Sequence, residues 1–214
     1  MLKSVCSLPN LLTCYRFPAG LAVLWLLTQM DPRFYPAGRY PLWISLTIAV
    51  ISFLVFLSDY YDGKLARSAN QVSDFGKIMD PVADNMFFTL LMLGLVLSPR
   101  FSVSVWFTVV MLYREASVQI IRRMAALKGV VLMAGWAGKL KTALQCVLMG
   151  ILGVMLLAKD AGCGFIDEKY LVWGAWIGSA FAAVGGILSL GAYILQLPQM
   201  INEQKEQTNA NKTA

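Results

Sequence analysis

Long apolar segments constrain the fold of this chain more strongly than any other feature of its sequence. Short polar or Gly/Pro-containing stretches separate six such segments, at residues 16–30, 41–62, 80–98, 102–122, 140–158 and 170–197. A helix of about 20 apolar residues spans the hydrocarbon core of a bilayer, and lipid offers no partner to an unpaired backbone group. The sequence therefore predicts an all-α integral membrane protein with six transmembrane helices.

Composition excludes the main alternatives to a membrane fold. Hydrophobic residues make up 58% of the chain and charged residues 14%, against about 45–50% and about 25% in soluble domains. A soluble globule, a disordered chain, a collagen and a coiled coil are therefore excluded. Residues 1–201 are predicted to form one six-helix membrane domain, followed by a short, frayed polar tail at 202–214. The first segment is predicted to be a retained helix, since Arg16 and Pro18 interrupt its start.

The distribution of basic residues predicts how the chain is oriented in the membrane. Six crossings place both termini on one side, and thirteen of the 18 Lys and Arg residues fall on that side. The positive-inside rule then predicts that both termini and the loops at 63–79 and 123–139 face the cytoplasm, in a multi-pass protein of the cell inner membrane. The net charge of +6 meets anionic lipid headgroups there, so it requires no nucleic-acid partner.

Four aspartates stand at the ends of two apolar segments. Asp59 and Asp62 are three residues apart and Asp80 and Asp84 four apart, so each pair lies on one helix face. A turn containing Gly76 makes the two helices antiparallel neighbours and brings the pairs together. Four crowded carboxylates repel one another unless cations lie among them. The chain has no histidine, and hard divalent cations prefer oxygen ligands, so two such ions bridging a phosphoryl group fit this cluster.

The residues beside the aspartates are suited to a phosphate-bearing ligand. Gly63 has no side chain and lets a phosphate approach the backbone. The planar guanidinium of Arg67 can bind a phosphate through two hydrogen bonds. The simpler interpretation, that charged residues at helix ends are solvated anchors, stays open for any single aspartate. Asp80 precedes Pro81, so a helix-capping role is also compatible with its position.

The complete pattern resembles the signature of the CDP-alcohol phosphatidyltransferases, with no departure. The matching residues are Asp59-x2-Asp62-Gly63-x2-Ala66-Arg67-x8-Gly76-x3-Asp80-x3-Asp84. The resemblance implies that two divalent ions, Mg²⁺ or Mn²⁺, are held by the four aspartates and that Asp84 is the base. It also implies that Gly63, Arg67 and the hydroxyl of Ser73 contact the CDP part of the donor. A six-helix fold and a homodimer are likewise implied.

Two further segments resemble the bacterial phosphatidylglycerophosphate synthases, which use CDP-diacylglycerol and glycerol 3-phosphate. They are Pro9-Asn10-Leu11-Leu12-Thr13-x2-Arg16-x-Pro18 and Gly138-Lys139-Leu140-Lys141-Thr142-Ala143-x-Gln145, the second together with Arg114-Glu115 and Arg122. This resemblance implies donor contacts by Asn10 and Thr13, although both could equally cap a helix. Cardiolipin synthases share the amino-terminal pattern, so an acceptor such as phosphatidylglycerol stays open.

Basic residues near apolar stretches point independently to an anionic acceptor. Arg114, Lys139 and Lys141 come from two adjacent spans, and a desolvated basic pocket attracts a phosphate. Glu115 is predicted to be the structural counter-charge of Arg114. The resemblance implies transfer of the phosphatidyl group from CDP-diacylglycerol to glycerol 3-phosphate, releasing CMP, and these basic residues agree with its anionic acceptor. A cation transporter is a rival, but it would place carboxylates near the midplane. A non-catalytic scaffold gives no reason for an intact signature.

Overall fold

A computed structural model describes residues 8–35, 40–68, 74–127 and 136–213 of the chain. Over these residues the protein is all-helical. Its six helices are α1 (Leu8–Thr28), α2 (Leu42–Ser68), α3 (Asp74–Leu97), α4 (Val105–Leu127), α5 (Trp136–Asp160) and α6 (Glu168–Thr213). The predicted all-α fold with six helices is confirmed.

The helices extend beyond the apolar segments that predicted them. The segment at 41–62 coincides with α2 from Leu42 onward, and α2 continues to Ser68. The segment at 80–98 coincides with α3 up to Leu97, and α3 already starts at Asp74. Backbone hydrogen bonds continue past the end of the apolar sequence, because adding a residue to an existing helix is cheap compared with starting one. The signature residues flanking these segments are therefore helical, and Gly76, which we expected in a turn, lies in the first turn of α3. Asp80 lies within α3 and not at its amino terminus, which removes the capping alternative for this residue.

The carboxyl-terminal tail differs from its predicted form. We expected a frayed polar segment from residue 202, whereas α6 continues as a helix through Pro198 to Thr213. Glu, Gln and Lys residues in this stretch are good helix formers, and the preceding transmembrane segment supplies a preformed helix to extend.

The apolar character of the helices matches a multi-pass membrane protein. Among the described residues, three helical segments are long and apolar enough to cross a bilayer, at Leu11–Thr28, Ala143–Asp160 and Glu168–Gly191. Two shorter apolar segments lie at Leu42–Ser58 and Val82–Leu97. The helix α4 carries Arg114 and Glu115 near its middle, which interrupts its apolar run.

The chain forms two compact units. The first comprises Met1–Val105 and Gly150–Ile177, and the second Trp106–Met149 and Gly178–Ala214. In the first unit α1 packs against both α2 and α3. Glycines permit the close approach of α1 and α3: a Cβ added to Gly20 would lie 2.8 Å from Cδ1 of Leu90, and one added to Gly94 would lie 2.6 Å from Cδ1 of Leu27. Small residues at such contacts let membrane helices pack closely.

A buried ion-pair network joins helix ends within the first unit. The guanidinium of Arg100, after α3, donates to both carboxylate oxygens of Asp160 at 2.9 and 3.0 Å and to Glu168 at the start of α6. Its Cζ atom lies 3.9 Å from the ring centroid of Tyr40, and Ser45 of α2 donates to Asp160. Burial alone would lower the pKa of Arg100, but its hydrogen bonds to Glu168 and Asp160 outweigh this effect and raise that pKa. The network therefore contains a permanently charged guanidinium.

Candidate active site

The helix bounds place the four signature aspartates on two helices of the first unit. Asp59 and Asp62 lie in the last three turns of α2, and Asp80 and Asp84 lie in the first half of α3. The backbone is helical at all four positions, and residues three or four apart on a helix are expected to share one face. Both helices pack against α1, which makes α1 a shared support for the two pairs.

Asp84 is the signature aspartate whose side chain the structure describes, and it is paired with a buried cation. Its Oδ1 atom accepts a hydrogen bond from Nη1 of Arg16 in α1 at 2.6 Å. The Arg16 side chain is 0% exposed, whereas that of Asp84 is 41% exposed. The carboxylate is thus held by a buried arginine, while the Asp84 side chain as a whole is partly exposed.

The same guanidinium also contacts α2. Nε of Arg16 donates to Oγ of Ser58 at 3.4 Å, and Ser58 is the residue before Asp59. The Ser58 hydroxyl in turn donates to the carbonyl of Val55 at 2.7 Å, which orients its oxygen to accept from Arg16. One side chain of α1 therefore connects the two helices that carry the aspartate pairs.

Sequence reasoning did not assign Arg16 or Ser58 to the site. In the sequence, Arg16 stands out only as a residue that interrupts the first apolar segment and as part of the amino-terminal pattern. The position of Arg16 inside an apolar helix could have indicated its role, because an ionisable residue is costly there and usually has a specific partner. Thr13, one turn earlier, is 1% exposed and lies well inside α1, so its capping alternative is removed.

Several predicted site residues lie outside the part of the chain whose side chains are described. For Asn10, Asp59, Asp62, Gly63, Arg67, Asp80, Lys139 and Lys141 the structure gives the backbone in a helix, and Ser73 falls between the described ranges. Their predicted roles stay predictions. Among the described side chains alone, no group of three or more acidic or thiol residues lies together.

The residues present are suited in chemistry to divalent cations. Four carboxylates on two helices supply the hard oxygen ligands that Mg²⁺ and Mn²⁺ prefer. The Asp84 side chain is partly exposed, and the buried Arg16 compensates its charge. A ligating carboxylate with a hydrogen-bonding partner behind it is the usual arrangement in metal sites.

In the second unit, Arg114 is engaged by neighbouring protein groups. Its Nε and Nη2 atoms donate to Oγ of Ser189 at 3.1 and 2.7 Å, and its Nη1 donates to the carboxylate of Glu115. The predicted counter-charge role of Glu115 is confirmed. Arg114 is 12% exposed and Glu115 13% exposed, so this is a largely desolvated pair.

Comparison with known proteins defines the class of enzyme to which this fold and site belong. Residues 6–184 match the family model described as CDP-alcohol phosphatidyltransferase, a range that includes all four aspartates, Arg16 and Arg114. The chain belongs to this family, as the signature residues predicted.

The chain is also similar to individual proteins whose names state an activity. The chain is 39% identical over 204 residues to a Mycoplasma genitalium protein named CDP-diacylglycerol–glycerol-3-phosphate 3-phosphatidyltransferase, covering 91% of this chain and 85% of the relative. It is 32% identical over 200 residues to a Streptomyces coelicolor protein named cardiolipin synthase (CMP-forming), covering 92% and 83%. It is also 32% identical over 147 residues to a Mycobacterium tuberculosis protein named "Probable phosphatidylglycerophosphate synthase". That match covers 69% of this chain and 66% of the relative, just under two thirds of its length.

Proposed function

We propose that this protein transfers the phosphatidyl group of CDP-diacylglycerol to glycerol 3-phosphate, forming phosphatidylglycerophosphate and CMP. The observation that carries the proposal is the complete family signature, with its four aspartates on two helices that pack against a common third helix. The Mycoplasma genitalium relative, whose name states this reaction, is similar over 91% of the chain and supports the choice of acceptor.

The chain's own residues account for binding and proton transfer in the proposed reaction. Asp59, Asp62, Asp80 and Asp84 would hold two divalent ions, which supply charge neutralisation for the diphosphate when bound. Gly63, Arg67 and Ser73 contact the CDP part of the donor, and Asn10 and Thr13 contribute further donor contacts. These roles follow the residues that match the family signature and the amino-terminal pattern.

The proposed chemistry is a direct displacement at phosphorus. The primary hydroxyl of glycerol 3-phosphate forms a new bond to the phosphorus that bears diacylglycerol, and the bond from this phosphorus to the CMP oxygen breaks. Asp84 accepts the hydroxyl proton as general base, and CMP leaves with the bonding electron pair. Arg16 holds one oxygen of this carboxylate, so the carboxylate enters the reaction in a defined orientation.

We further propose that the reaction takes place at the cytoplasmic leaflet of the cell inner membrane. Basic residues are concentrated on the predicted cytoplasmic side, which supports this orientation by the positive-inside rule. The acyl chains of the donor can stay in the bilayer while its headgroup reaches the aspartates. A homodimer, implied by the family resemblance, is a prediction that size analysis in detergent or nanodiscs will test.

Neutralising Lys139 or Lys141 is expected to weaken binding of the acceptor selectively. If each lysine donates a charge-assisted hydrogen bond worth about 1.5–3 kcal/mol to the acceptor phosphate, Lys139→Gln and Lys141→Gln should each raise its KM roughly 10- to 150-fold. The KM for CDP-diacylglycerol should change little, because each contact is local to one substrate. Steady-state kinetics with both substrates varied will measure this difference.

Free glycerol provides the control for the acceptor experiment. It lacks the phosphate, so it should be a poor acceptor for the unmodified enzyme and should lose little further in the lysine variants. Arg114 is less suited to this test, because its replacement also removes the contacts to Glu115 and Ser189. Equal losses with glycerol and glycerol 3-phosphate would exclude these lysines from the phosphate site.

A second candidate acceptor is phosphatidylglycerol. The Streptomyces coelicolor relative, named a CMP-forming cardiolipin synthase, is similar over 92% of the chain and supports this alternative. An acceptor screen with purified protein and CDP-diacylglycerol distinguishes the two by their lipid products. Cardiolipin in place of phosphatidylglycerophosphate would move the assignment to the second activity.

A further inference from the structure

Arg16 is a buried cation that the family signature does not include. It lies in α1, within the membrane-capable segment Leu11–Thr28, and its side chain is fully buried. Burying a charge in such a segment is costly unless it is paired and hydrogen-bonded. Asp84 in α3 provides an opposite charge at 2.6 Å, and Ser58 in α2 provides a further acceptor. The placement of Arg16 therefore depends on both aspartate-bearing helices.

The planar shape of the Arg16 guanidinium fixes the directions of its hydrogen bonds to Asp84 and Ser58. Arginine presents its donors in a rigid, planar fork, so two acceptors of one guanidinium are fixed relative to each other. The two acceptors here lie on different helices: Ser58 precedes Asp59 of the first pair, and Asp84 belongs to the second pair. A lysine at this position would retain the charge but would not reproduce the planar fork.

We propose that Arg16 is a positioning residue for the transfer reaction. Its buried guanidinium fixes the orientation of the Asp84 carboxylate and aligns α2 with α3, so that the two aspartate pairs form one divalent-cation site. This inference rests on the proposed function, because it takes Asp84 to be part of the transferring site. Arg16 acts through Asp84 and the alignment of the helices, without contacting the substrate.

The proposal predicts that Arg16 variants lose cation affinity and turnover. Removing a hydrogen-bonding partner behind a metal ligand typically costs about 10- to 100-fold in metal affinity or activity. We expect a loss of this size in Mn²⁺ affinity, measured by electron paramagnetic resonance on purified protein, for both Arg16→Met and Arg16→Lys. In the kinetic assay kcat should fall, whereas the KM for glycerol 3-phosphate should stay within about threefold, because Arg16 is not assigned to the acceptor.

Arg100→Lys provides a matched control. Arg100 is also a buried arginine of the first unit that pairs with a carboxylate, but it follows α3 at the end away from Asp84. Leu97, at the end of α3, lies 13 positions after Asp84, which separates the two sites by about 20 Å of helix. Arg100→Lys should therefore lower thermal stability without changing Mn²⁺ affinity or kcat. If Arg16→Lys likewise lowered only thermal stability, Arg16 would be a structural cation and the proposal would be overturned.

A double-mutant cycle tests whether Arg16 acts through Asp84. If it does, Arg16→Lys should weaken Mn²⁺ binding much less in an Asp84→Asn background than in the unmodified protein. If Arg16→Lys lowered Mn²⁺ affinity by the same factor in the Asp84→Asn variant and in the unmodified protein, the proposal would be contradicted. Arg16→Lys keeps the charge, so it decides the outcome if Arg16→Met does not yield folded protein.

The Mn²⁺ measurement also separates this inference from the proposed function. It requires neither donor nor acceptor, so it reports on Arg16 whichever lipid the enzyme makes. Absence of CMP release by the unmodified protein with every acceptor would refute the proposed function, and the Mn²⁺ measurement would still decide whether Arg16 positions a cation site. Normal CMP release together with unchanged Mn²⁺ affinity in Arg16→Lys would refute the positioning role alone.

Discussion

Asp84→Asn is expected to lower the rate of phosphatidyl transfer by about 10²- to 10⁴-fold, the usual contribution of a general base. The substitution keeps the shape of the side chain but removes its charge and its capacity to accept a proton. Asp59→Asn, Asp62→Asn and Asp80→Asn should each abolish transfer, because each removes a proposed cation ligand. The assay is CMP release from CDP-diacylglycerol by purified, membrane-inserted protein.

Asp167→Asn is the matched control for these four variants. Asp167 is an acidic residue of the first unit that is 61% exposed and pairs with Lys169, and it is not part of the signature. Its replacement should leave turnover unchanged. Near-normal turnover in any of the signature variants would remove that aspartate from the proposed site, and full activity of Asp84→Asn would refute its assignment as the base.

Of the variants proposed for this protein, Arg100→Met is expected to lower the free energy of unfolding the most. The variant leaves Asp160, whose side chain is 0% exposed, as a buried carboxylate without its cation. Removing one partner of a buried pair typically costs about 3–5 kcal/mol, and the variant also loses the contacts to Glu168 and Tyr40. Thermal unfolding of detergent-solubilised protein will detect this loss as a large decrease in Tm.

An exposed ion pair in the same unit provides the comparison for Arg100→Met. Lys169 and Asp167 lie 3.3 Å apart with both side chains more than half exposed, and exposed pairs contribute about 0–1 kcal/mol. Lys169→Met should therefore change Tm little. A similar small change for Arg100→Met would mean that the Arg100 network does not stabilise the first unit.

The sequence predicted the existence of the six helices because each apolar segment has the length that a bilayer demands. It did not predict where the helices end. Apolar character ends before the backbone hydrogen bonds do, so α2 continues through the first part of the signature to Ser68 and α6 continues to Thr213. Helix boundaries outside the hydrocarbon are determined by local backbone energetics, which hydropathy does not measure.

The aspartates were identifiable from their spacing, because the four carboxylates fall within 26 residues of sequence. Arg16, the residue that holds Asp84, could not be identified from spacing. Arg16 and Asp84 are 68 residues apart in the chain, and only the packing of α1 against α3 brings them into contact. The spacing of residues along the chain is enough to propose the four aspartates as ligands. The residue that orients one of them, Arg16, is known only from the tertiary packing of the helices.

The most direct test of the proposed activity is a product analysis with labelled acceptor. Purified protein, CDP-diacylglycerol, Mg²⁺ and radiolabelled glycerol 3-phosphate should yield labelled phosphatidylglycerophosphate and CMP in equal amounts, and removal of divalent cations with EDTA should stop both. Label that does not enter the lipid, or transfer that persists undiminished in EDTA, would contradict the account.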